Sequence, residues 1–390
     1  MASVKGLAEK HLPHIIEMRR YFHMYPELSG QEFNTQRKII AELEQLDLQP
    51  RSMAGTGVIV DITGGSTGRT VAIRADIDAL PVQDELDKPY RSQNHGVCHS
   101  CGHDGHIAMA LGAARILSEL RQTIPGKIRL IFQPSEERFP GGATAMVEQG
   151  AIEGVDAIVG AHLWQPIPIG KIGISTDRLM ASPDEFVITI CGKGGHGSMP
   201  HQTVDPLLTG AQLVTALHTI VSRNVNPMEP AALSIGMFKA GEVFNIIPDT
   251  AVLKGTVRTF DQSLRAVIFD RIETIARGVC QAAGADFRLE KRFGFPPVIN
   301  NQEVADEVSV AARETLGESG VIVASPVMVG EDFSIYLEQI PGCFVFIGCG
   351  NEDDGIVYPH HHPRFDMDER ALGYGTELFC RAALRLLTRK

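Results

Sequence analysis

A short segment rich in histidine and cysteine is the clearest sign of chemistry in the sequence. It reads His-Ser-Cys-Gly-His-Asp-Gly-His over residues 99–106, so that Cys101 and His103 flank a single glycine. This spacing allows a thiolate and an imidazole to bind one metal ion from a loop. The segment therefore predicts a metal site. Two alternatives remain open: Cys98 and Cys101 form a C-x-x-C pair typical of redox dithiols, and either could be a buried structural cysteine.

Acidic and histidine side chains also end three apolar runs that are typical of strands. Asp76 and Asp78 end the first run, Glu136 and Glu137 the second, and His162 the third. Each group alone has an ordinary explanation as a turn, a solvated surface or a core residue. The carboxyl ends of parallel strands, however, meet at one edge of a sheet, where open α/β proteins bind their ligands. Because the ordinary explanations would have to coincide in every segment, the pattern favours one shared site.

Strands that alternate with helices must position these residues. Apolar spacing indicates helices over about residues 5–48 in two runs, then 105–120 and 141–149, and strands over 57–63, 70–77, 127–133 and 156–162. This alternation predicts an α/β domain with a mostly parallel sheet. Trp164 follows the third strand, where we expect it either to line a pocket or to lie in the core.

A different order of elements begins near residue 182. The pattern becomes strand, helix, strand, strand, helix, strand over residues 185–291, which is the ferredoxin-like split βαβ order. Alternation then resumes with a helix at 303–316, an apolar run at 343–348 and a final helix at 369–387. We therefore predict a catalytic domain built from residues 1–181 and 294–390, with an α+β domain inserted at 182–293.

Composition and charge narrow the possible partners and location. The chain has 390 residues with 36 basic and 47 acidic side chains, a net charge of −11, which disfavours nucleic-acid binding. No apolar stretch approaches the roughly 20 residues of a membrane span. The first residues lack the apolar core of a signal peptide, and the seven cysteines show no secreted disulfide pattern. We expect a cytoplasmic protein that binds neither nucleic acid nor membrane.

The motifs together resemble a known family. They read Arg-Arg-Tyr-Phe-His-Met-Tyr-Pro-Glu-Leu at 19–28, Arg-Ala-Asp-Ile-Asp-Ala-Leu-Pro at 74–81, His-Ser-Cys-Gly-His-Asp at 99–104, Gln-Pro-Ser-Glu-Glu at 133–137, Gly-Gly-His-Gly-Ser-Met-Pro-His at 194–201 and His-His-Pro-Arg-Phe at 361–365. The sequence resembles the amidohydrolase branch of the aminoacylase/carboxypeptidase metallopeptidases, which includes hippurate hydrolase, auxin-conjugate hydrolases and N-acetyldiaminopimelate deacetylase. The resemblance covers nearly the whole chain. It implies a two-metal catalytic domain and an inserted lid and dimerisation domain, hence a homodimer or higher homo-oligomer.

The resemblance also implies a role for individual residues. The implied metal ligands are Cys101, His103, Glu137, His162 and His361. Glu136 would be the general base, and Asp78 would orient a ligand or a catalytic neighbour. His196 corresponds to the family histidine that reaches the active site of the other subunit and stabilises the oxyanion. Asn245 and Arg258 match the residues that bind the free carboxylate of the substrate.

Two positions depart from the family pattern. Residues 360–362 are three consecutive histidines, so the ligand among them is ambiguous, and the H-x-P-x-F register selects His361. Val329 stands where a small residue is usual, beside the Gly-Glu-Asp-Phe sequence at 330–333.

We therefore expect metal-dependent hydrolysis of the amide bond of small N-acyl amino acids, with Glu136 as general base for the attacking water. Two divalent ions per subunit are expected; sulfur, nitrogen and oxygen ligands admit zinc, manganese, cobalt or nickel. The alternative within enzymes is a dipeptidase or carboxypeptidase that cleaves a short peptide at the same site. Outside that class, a metal-free binding or scaffold protein and a Cys98/Cys101 redox protein remain alternatives.

Overall fold

The computed structural model describes residues 3–389, which form two compact units. The first unit contains the described residues up to Leu179, then Ile299–Pro326 and the described residues from Asp332 onward. The second unit contains Met180–Val298 and Val327–Glu331. Within residues 3–389, no helix combines the length and the apolarity needed to cross a membrane.

The helices and strands are numbered here in chain order. The α-helices are α1 (Val4–Met24), α2 (Phe33–Glu44), α3 (His103–Leu120), α4 (Gly142–Glu148), α5 (Pro206–Leu217), α6 (Thr219–Asn224), α7 (Gln262–Ala283), α8 (Gln302–Leu316), α9 (Ser334–Leu337) and α10 (Arg370–Thr388). The strands are β1 (Arg51–Met53), β2 (Gly57–Thr63), β3 (Ser66–Asp76), β4 (Pro125–Gln133), β5 (Ala157–Pro168), β6 (Ile172–Ile174), β7 (Arg178–Met180), β8 (Ser182–Cys191), β9 (Gly195–His196), β10 (Ala231–Ala240), β11 (Ile246–Ile247), β12 (Thr250–Thr259), β13 (Asp286–Arg292), β14 (Val298–Ile299), β15 (Val321–Val323) and β16 (Gly342–Gly350).

The first unit is built on an eight-stranded sheet in the order β1-β2-β4-β3-β5-β16-β6-β15. Its central strands β4, β3, β5 and β16 pair in parallel, whereas β1, β2 and β4 pair antiparallel at one side and β16 pairs antiparallel with β6. Every residue of β16 is buried, as is usual for strands covered on both faces. This confirms the predicted α/β fold with a mostly parallel sheet.

The strand β5 is longer than its sequence pattern predicts. The expected strand ends at His162, whereas β5 continues to Pro168. Its pairing with β3 stops at Gly160, opposite Arg74, but its parallel pairing with β16 continues through Trp164 and, after an irregularity, to Pro168. In this register His162 is level with Asp76, the last residue of β3, so both residues lie at the carboxyl end of β3 while β5 continues beyond it.

The second unit contains a four-stranded antiparallel sheet in the order β10-β12-β8-β13, with α5 and α7 as its long helices. This is the predicted split βαβ arrangement. The first helix of the predicted strand–helix–strand–strand–helix–strand order is instead two helices, α5 and α6. The break follows from side chains that bond the last carbonyls of α5: His218 Nδ1 lies 2.8 Å from Val214 O, and Thr219 Oγ1 donates to Ala216 O at 2.6 Å. Such bonds compete with continued helix.

Candidate metal centre

The cysteine–histidine segment forms a tight loop that leads into α3. Gly102 has φ = +88°, a left-handed conformation that favours glycine, and it brings Cys101 and His103 to the same side of the loop. Backbone bonds between Cys98 and Leu80 in both directions hold the start of the loop to the chain that follows β3. Burial, reinforced by the nearby Glu137 and Glu136 carboxylates, raises the pKa of the Cys101 thiol well above its usual value. A cation at this place would favour the thiolate instead.

His103 is oriented by Asp78. Its Nδ1 lies 2.9 Å from the Asp78 carbonyl oxygen and 3.3 Å from Asp78 Oδ1, so Nδ1 carries the proton. The other ring nitrogen, Nε2, is buried and has no hydrogen-bond partner within residues 3–389. Burial lowers the pKa of His103, but the Asp76 and Asp78 carboxylates outweigh it and raise the pKa to about 10. The Nε2 atom is thus held in place with nothing in the described chain to bond.

His162, like His103, has its Nδ1 bonded to a backbone carbonyl oxygen. Its Nδ1 donates to the Leu163 carbonyl oxygen at 2.8 Å, which leaves Nε2 directed at Cys101 Sγ, 3.5 Å away. His106, by contrast, uses both ring nitrogens: Nδ1 bonds Asp76 Oδ1 at 2.5 Å, and Nε2 accepts the Leu163 N–H at 2.9 Å. His106 therefore supports the backbone at Leu163 and has no lone pair left for a metal.

The loop after β4 brings two carboxylates to the same place. The Glu137 N–H donates to Asp78 Oδ2 at 3.0 Å, and Glu137 Oε1 lies 4.0 Å from His103 Nε2. Glu137 Oε1 is buried and accepts no hydrogen bond from any described residue. A carboxylate oxygen of Glu136 lies within 4.8 Å of the donor atoms of His103 and Glu137.

The three consecutive histidines separate into three environments. His361 has φ = +66°, its N–H donates to Ser100 O at 2.8 Å, and its Nε2 lies 3.2 Å from Glu137 Oε1. His362 instead stacks on the Tyr358 ring at 4.5 Å. Of this triplet, His361 is therefore the residue that the fold brings to the Glu137 carboxylate.

His360 belongs to an aromatic stack beside the site. Its Nε2 donates to Leu163 O at 2.9 Å, and its ring lies 4.7 Å from Trp164. Phe346 covers the other face of Trp164, at 4.4 Å. Burial lowers the pKa of His360 to about 4, so the ring is neutral at pH 7. Trp164, expected either to line a pocket or to lie in the core, has both of its faces covered by other rings.

These side chains form overlapping groups with the chemistry of a metal site. Among the described residues, five sets of donor atoms fall within 4.8 Å of one another, and three of them combine the residues predicted from the sequence, namely Cys101 with His103 and His162, Cys101 with Glu137 and His361, and His103 with Glu136 and Glu137. Thiolate, imidazole and carboxylate suit divalent transition metals. The buried, unbonded atoms His103 Nε2 and Glu137 Oε1 cost free energy unless a cation satisfies them. The residues present therefore fit divalent ions.

A buried network of hydrogen bonds joins the ends of β3 and β4 next to the site. Arg74, at the end of β3, donates to Asp76 Oδ2 and to Asp332 Oδ1, each at 2.7 Å, and to Gln133 Oε1 at 2.9 Å. Gln133 also donates to Asp332 Oδ2 at 2.7 Å. Burial raises the pKa of Asp332 to about 6 in spite of Arg74. The sequence analysis missed this network, because Arg74 and Asp332 are 258 residues apart and no local pattern signals their contact.

The remaining sequence-predicted residues belong to the second unit. His196 lies in β9, which pairs with β11 directly after Asn245, and the Gly197 N–H donates to Asn245 O at 2.8 Å. His196 Nδ1 accepts the Ser198 N–H at 3.0 Å, so the neutral ring carries its proton on Nε2. Arg258 lies in β12; its Nη1 is buried and has no hydrogen-bond partner among the described residues, and burial lowers its pKa.

Comparison with known proteins shows the family of this chain. The model of Peptidase family M20/M25/M40 matches residues 72–385. The chain is 47% identical over 301 residues to an N-acyl-L-amino acid amidohydrolase of Geobacillus stearothermophilus, covering 77% of this chain and 81% of that protein. It is 40% identical over 365 residues to thermostable carboxypeptidase 1 of Saccharolobus solfataricus, covering 93% and 92%.

The chain is also similar to a solved structure. The Bacillus subtilis YXEP protein, described as a dinuclear metal binding peptidase from the M20 family, superposes with a TM-score of 0.84 at 36% identity, covering 97% of this chain and 99% of that chain. These findings confirm the family that the motifs indicated. The chain belongs to peptidase family M20/M25/M40 and is a hydrolase of that family.

Proposed function

We propose that the protein hydrolyses the amide bond of N-acyl amino acids at this centre. The observation that carries the proposal is the convergence of the Cys101, His103, Glu137, His162 and His361 donor atoms beside Glu136. Two of those atoms, His103 Nε2 and Glu137 Oε1, are buried without a hydrogen-bond partner in the described chain. The similarity to an N-acyl-L-amino acid amidohydrolase supports this choice of substrate.

The five converging residues would hold two divalent ions, with Cys101 common to two of the three donor groups. Such ions polarise the amide carbonyl and lower the pKa of the attacking water. The donor set admits zinc, manganese, cobalt or nickel. Asp78 holds both His103, through Nδ1, and the backbone of Glu137, so it fixes two of these residues relative to each other.

Glu136 is the proposed general base. It precedes Glu137 near the start of the loop between β4 and α4, with a carboxylate oxygen among the donor atoms of the site. Its carboxylate takes a proton from the attacking water as the oxygen bonds to the carbonyl carbon, and then gives that proton to the leaving nitrogen as the carbon–nitrogen bond breaks. One water is consumed, and a carboxylic acid and an amine are released.

The second unit supplies the remaining proposed groups. His196 presents its Nε2–H as a donor to the developing oxyanion, since Ser198 occupies Nδ1. We propose that this histidine acts in the site of the partner subunit of a homodimer. Arg258 and Asn245 bind the free carboxylate of the substrate, for which the unpartnered, buried Nη1 of Arg258 is suited. A cytoplasmic location remains part of the proposal.

A substrate panel tests the activity directly. The metal-free protein is reloaded with manganese, zinc or cobalt and assayed on N-acetyl amino acids, N-benzoyl amino acids and dipeptides. Preference for N-acyl amino acids, measured as kcat/KM, is expected. Preference for dipeptides would replace the proposal with the peptidase alternative, which the similarity to a carboxypeptidase favours.

Mixing two inactive variants tests the action of His196 across a dimer. Glu136→Gln and His196→Ala subunits are unfolded, combined in equal amounts and refolded. About a quarter of wild-type activity is expected, because half of randomly paired dimers are heterodimers and each has one complete site. Activity no higher than that of the separate variants would place His196 in the site of its own subunit or outside the mechanism.

A further inference from the structure

A buried carboxylate outside the metal site contacts the loop at residues 134–141, between β4 and α4, here called the catalytic loop because it carries Glu136. Glu32, immediately before α2, is 0% exposed. It accepts three hydrogen bonds: Thr56 Oγ1 donates to Oε2 at 2.5 Å, and the Ser135 N–H and Oγ donate to Oε1 at 2.9 and 3.4 Å. Burying a carboxylate is costly unless its partners are well placed. Ser135 and Thr56 are therefore the partners that stabilise the buried Glu32 carboxylate.

The residue that Glu32 binds has an unusual backbone. Ser135 has φ = +55°, in the left-handed region, which a non-glycine residue rarely adopts because its Cβ crowds the following carbonyl oxygen. Its carbonyl oxygen is also fixed, because it accepts the Gly142 N–H at 3.0 Å. Glu32 therefore bonds the N–H of a residue held in a conformation that it would not otherwise favour.

This conformation sets the direction of the next residue. Ser135 immediately precedes Glu136, so a change of its backbone dihedrals would redirect the Glu136 side chain. The loop is otherwise anchored one residue later, where the Glu137 N–H bonds Asp78 Oδ2 at 3.0 Å. The two anchors lie on either side of Glu136 and are independent, since Glu32 contacts Ser135 and Asp78 contacts Glu137.

The segment that carries Glu32 reaches both anchors. Ser29 Oγ donates to Asp78 Oδ2 at 2.6 Å, three residues before Glu32. The short stretch between α1 and α2 thus holds the Asp78 carboxylate with one side chain and the Ser135 backbone with another. The Ser29 contact supports Asp78, which holds the proposed metal ligands His103 and Glu137. The Glu32 contact instead holds Ser135 and so affects the direction of Glu136.

We propose that Glu32 is a positioning residue that holds Ser135 in its left-handed conformation and thereby aims the Glu136 carboxylate at the attacking water. The inference rests on the proposed role of Glu136 as general base. It assigns Glu32 no contact with substrate or metal. Its removal is therefore expected to change kcat, through proton transfer, more than substrate binding or metal loading.

The test compares Glu32→Ala with Glu32→Gln in the metal-loaded protein. Glu32→Ala is expected to lower kcat about 10- to 100-fold, the usual effect of losing a residue that orients a functional group. KM should stay within a few-fold of wild type, and each chain should keep its full complement of ions. Glu32→Gln should recover most of kcat, because the amide oxygen can accept from Ser135 N–H while its NH2 group donates to Thr56 Oγ1.

A matched control comes from the same segment. The Glu27 carboxylate also accepts from backbone N–H groups, those of Asn34 and Thr35, each at 2.8 Å, and these bonds cap the start of α2. Glu27→Ala should lower thermal stability and leave kcat unchanged. If Glu32→Ala does not fold, Glu32→Asp replaces it, since its shorter side chain cannot reach Thr56 and Ser135 together and should show the same loss of kcat.

The outcomes separate this inference from the proposed function. Full activity in Glu136→Gln would overturn the general-base role and the inference with it. An inactive Glu136→Gln combined with a wild-type kcat in the folded Glu32 variants would overturn the inference alone. A loss of bound metal, or a rise in KM at unchanged kcat, in Glu32→Ala would also overturn it, since either result places the effect of Glu32 elsewhere.

Discussion

Replacement of Asp78 with asparagine is expected to weaken metal binding strongly while leaving the fold intact. Asp78 is buried, and its carboxylate lies between three donors: Oδ1 faces His103 Nδ1, and Oδ2 accepts from Ser29 Oγ and the Glu137 N–H. Asparagine has one acceptor oxygen, so in either orientation its NH2 group faces an N–H donor. Either the Glu137 N–H then loses its acceptor, or His103 loses its contact with the side chain and keeps only its bond to the Asp78 backbone oxygen.

The magnitude follows from the bonds that are lost. A hydrogen bond to a charged group contributes about 1.5–3 kcal/mol. Because 1.4 kcal/mol corresponds to a factor of ten, the metal dissociation constant should rise about 10- to 100-fold. Ser29→Ala removes one bond and keeps the carboxylate, so its effect should be several-fold smaller.

Competition with a coloured chelator measures these affinities. Metal-free wild type, Asp78→Asn and Ser29→Ala are titrated with zinc and manganese in the presence of the chelator, and circular dichroism checks that each variant is folded. A folded Asp78→Asn variant that binds both metals within twofold of wild type would refute the role given to Asp78.

Two further predictions concern the histidine triplet and acid stability. His361→Ala should lose bound metal and activity, whereas His362→Ala should keep both, as measured by metal analysis and kcat; equal losses would contradict the choice of His361. In the large sheet, Asp61 faces Arg129, which donates to it at 2.7 and 3.0 Å; burial raises the pKa of Asp61, but Arg129 outweighs this and lowers it. A lowered folded-state pKa gives stability that is present above the unfolded pKa of about 3.9 and lost as the pH falls. Asp61→Asn should therefore lower the free energy of unfolding by about 1–3 kcal/mol at pH 7 and by less near pH 3, in denaturant titrations against the exposed control Asp353→Asn; an equal loss at both pH values would contradict this.

The sequence predicted the parts of the fold that have strong local patterns. The apolar runs of β3, β4 and β16 and the long helices α3, α7 and α10 all appear where the periodicity indicated them. Strands of two or three residues, such as β1, β6 and β15, are too short to show a period and were missed. The extension of β5 beyond His162 was also missed, because it depends on pairing with β16, a strand that follows much later in the chain.

The residues of the site likewise fall into those that a local sequence pattern indicates and those that only the fold reveals. The segments that supply Cys101, His103, Glu136, Glu137 and His162 were recognised because their residue types are unusual at strand ends and helix starts. The sequence pattern indicates no role for Glu32 or Arg74, although both are buried and bond the chain around the site. A glutamate before a helix and an arginine in a strand have ordinary local explanations. Their roles arise from contacts with Ser135 and Asp332, more than 100 residues away.

The two-metal mechanism with Glu136 as general base is tested most directly by counting the metal ions and measuring the turnover of one sample of Glu136→Gln. The variant is loaded with manganese or zinc, its ions are counted by elemental analysis, and its hydrolysis of an N-acetyl amino acid is compared with that of wild type. We expect two ions per chain and a loss of turnover, since the ligands remain and the proton acceptor is gone. Substantial turnover with two ions bound would contradict the role of Glu136, and wild-type protein that binds fewer than two ions while fully active would contradict the dinuclear centre.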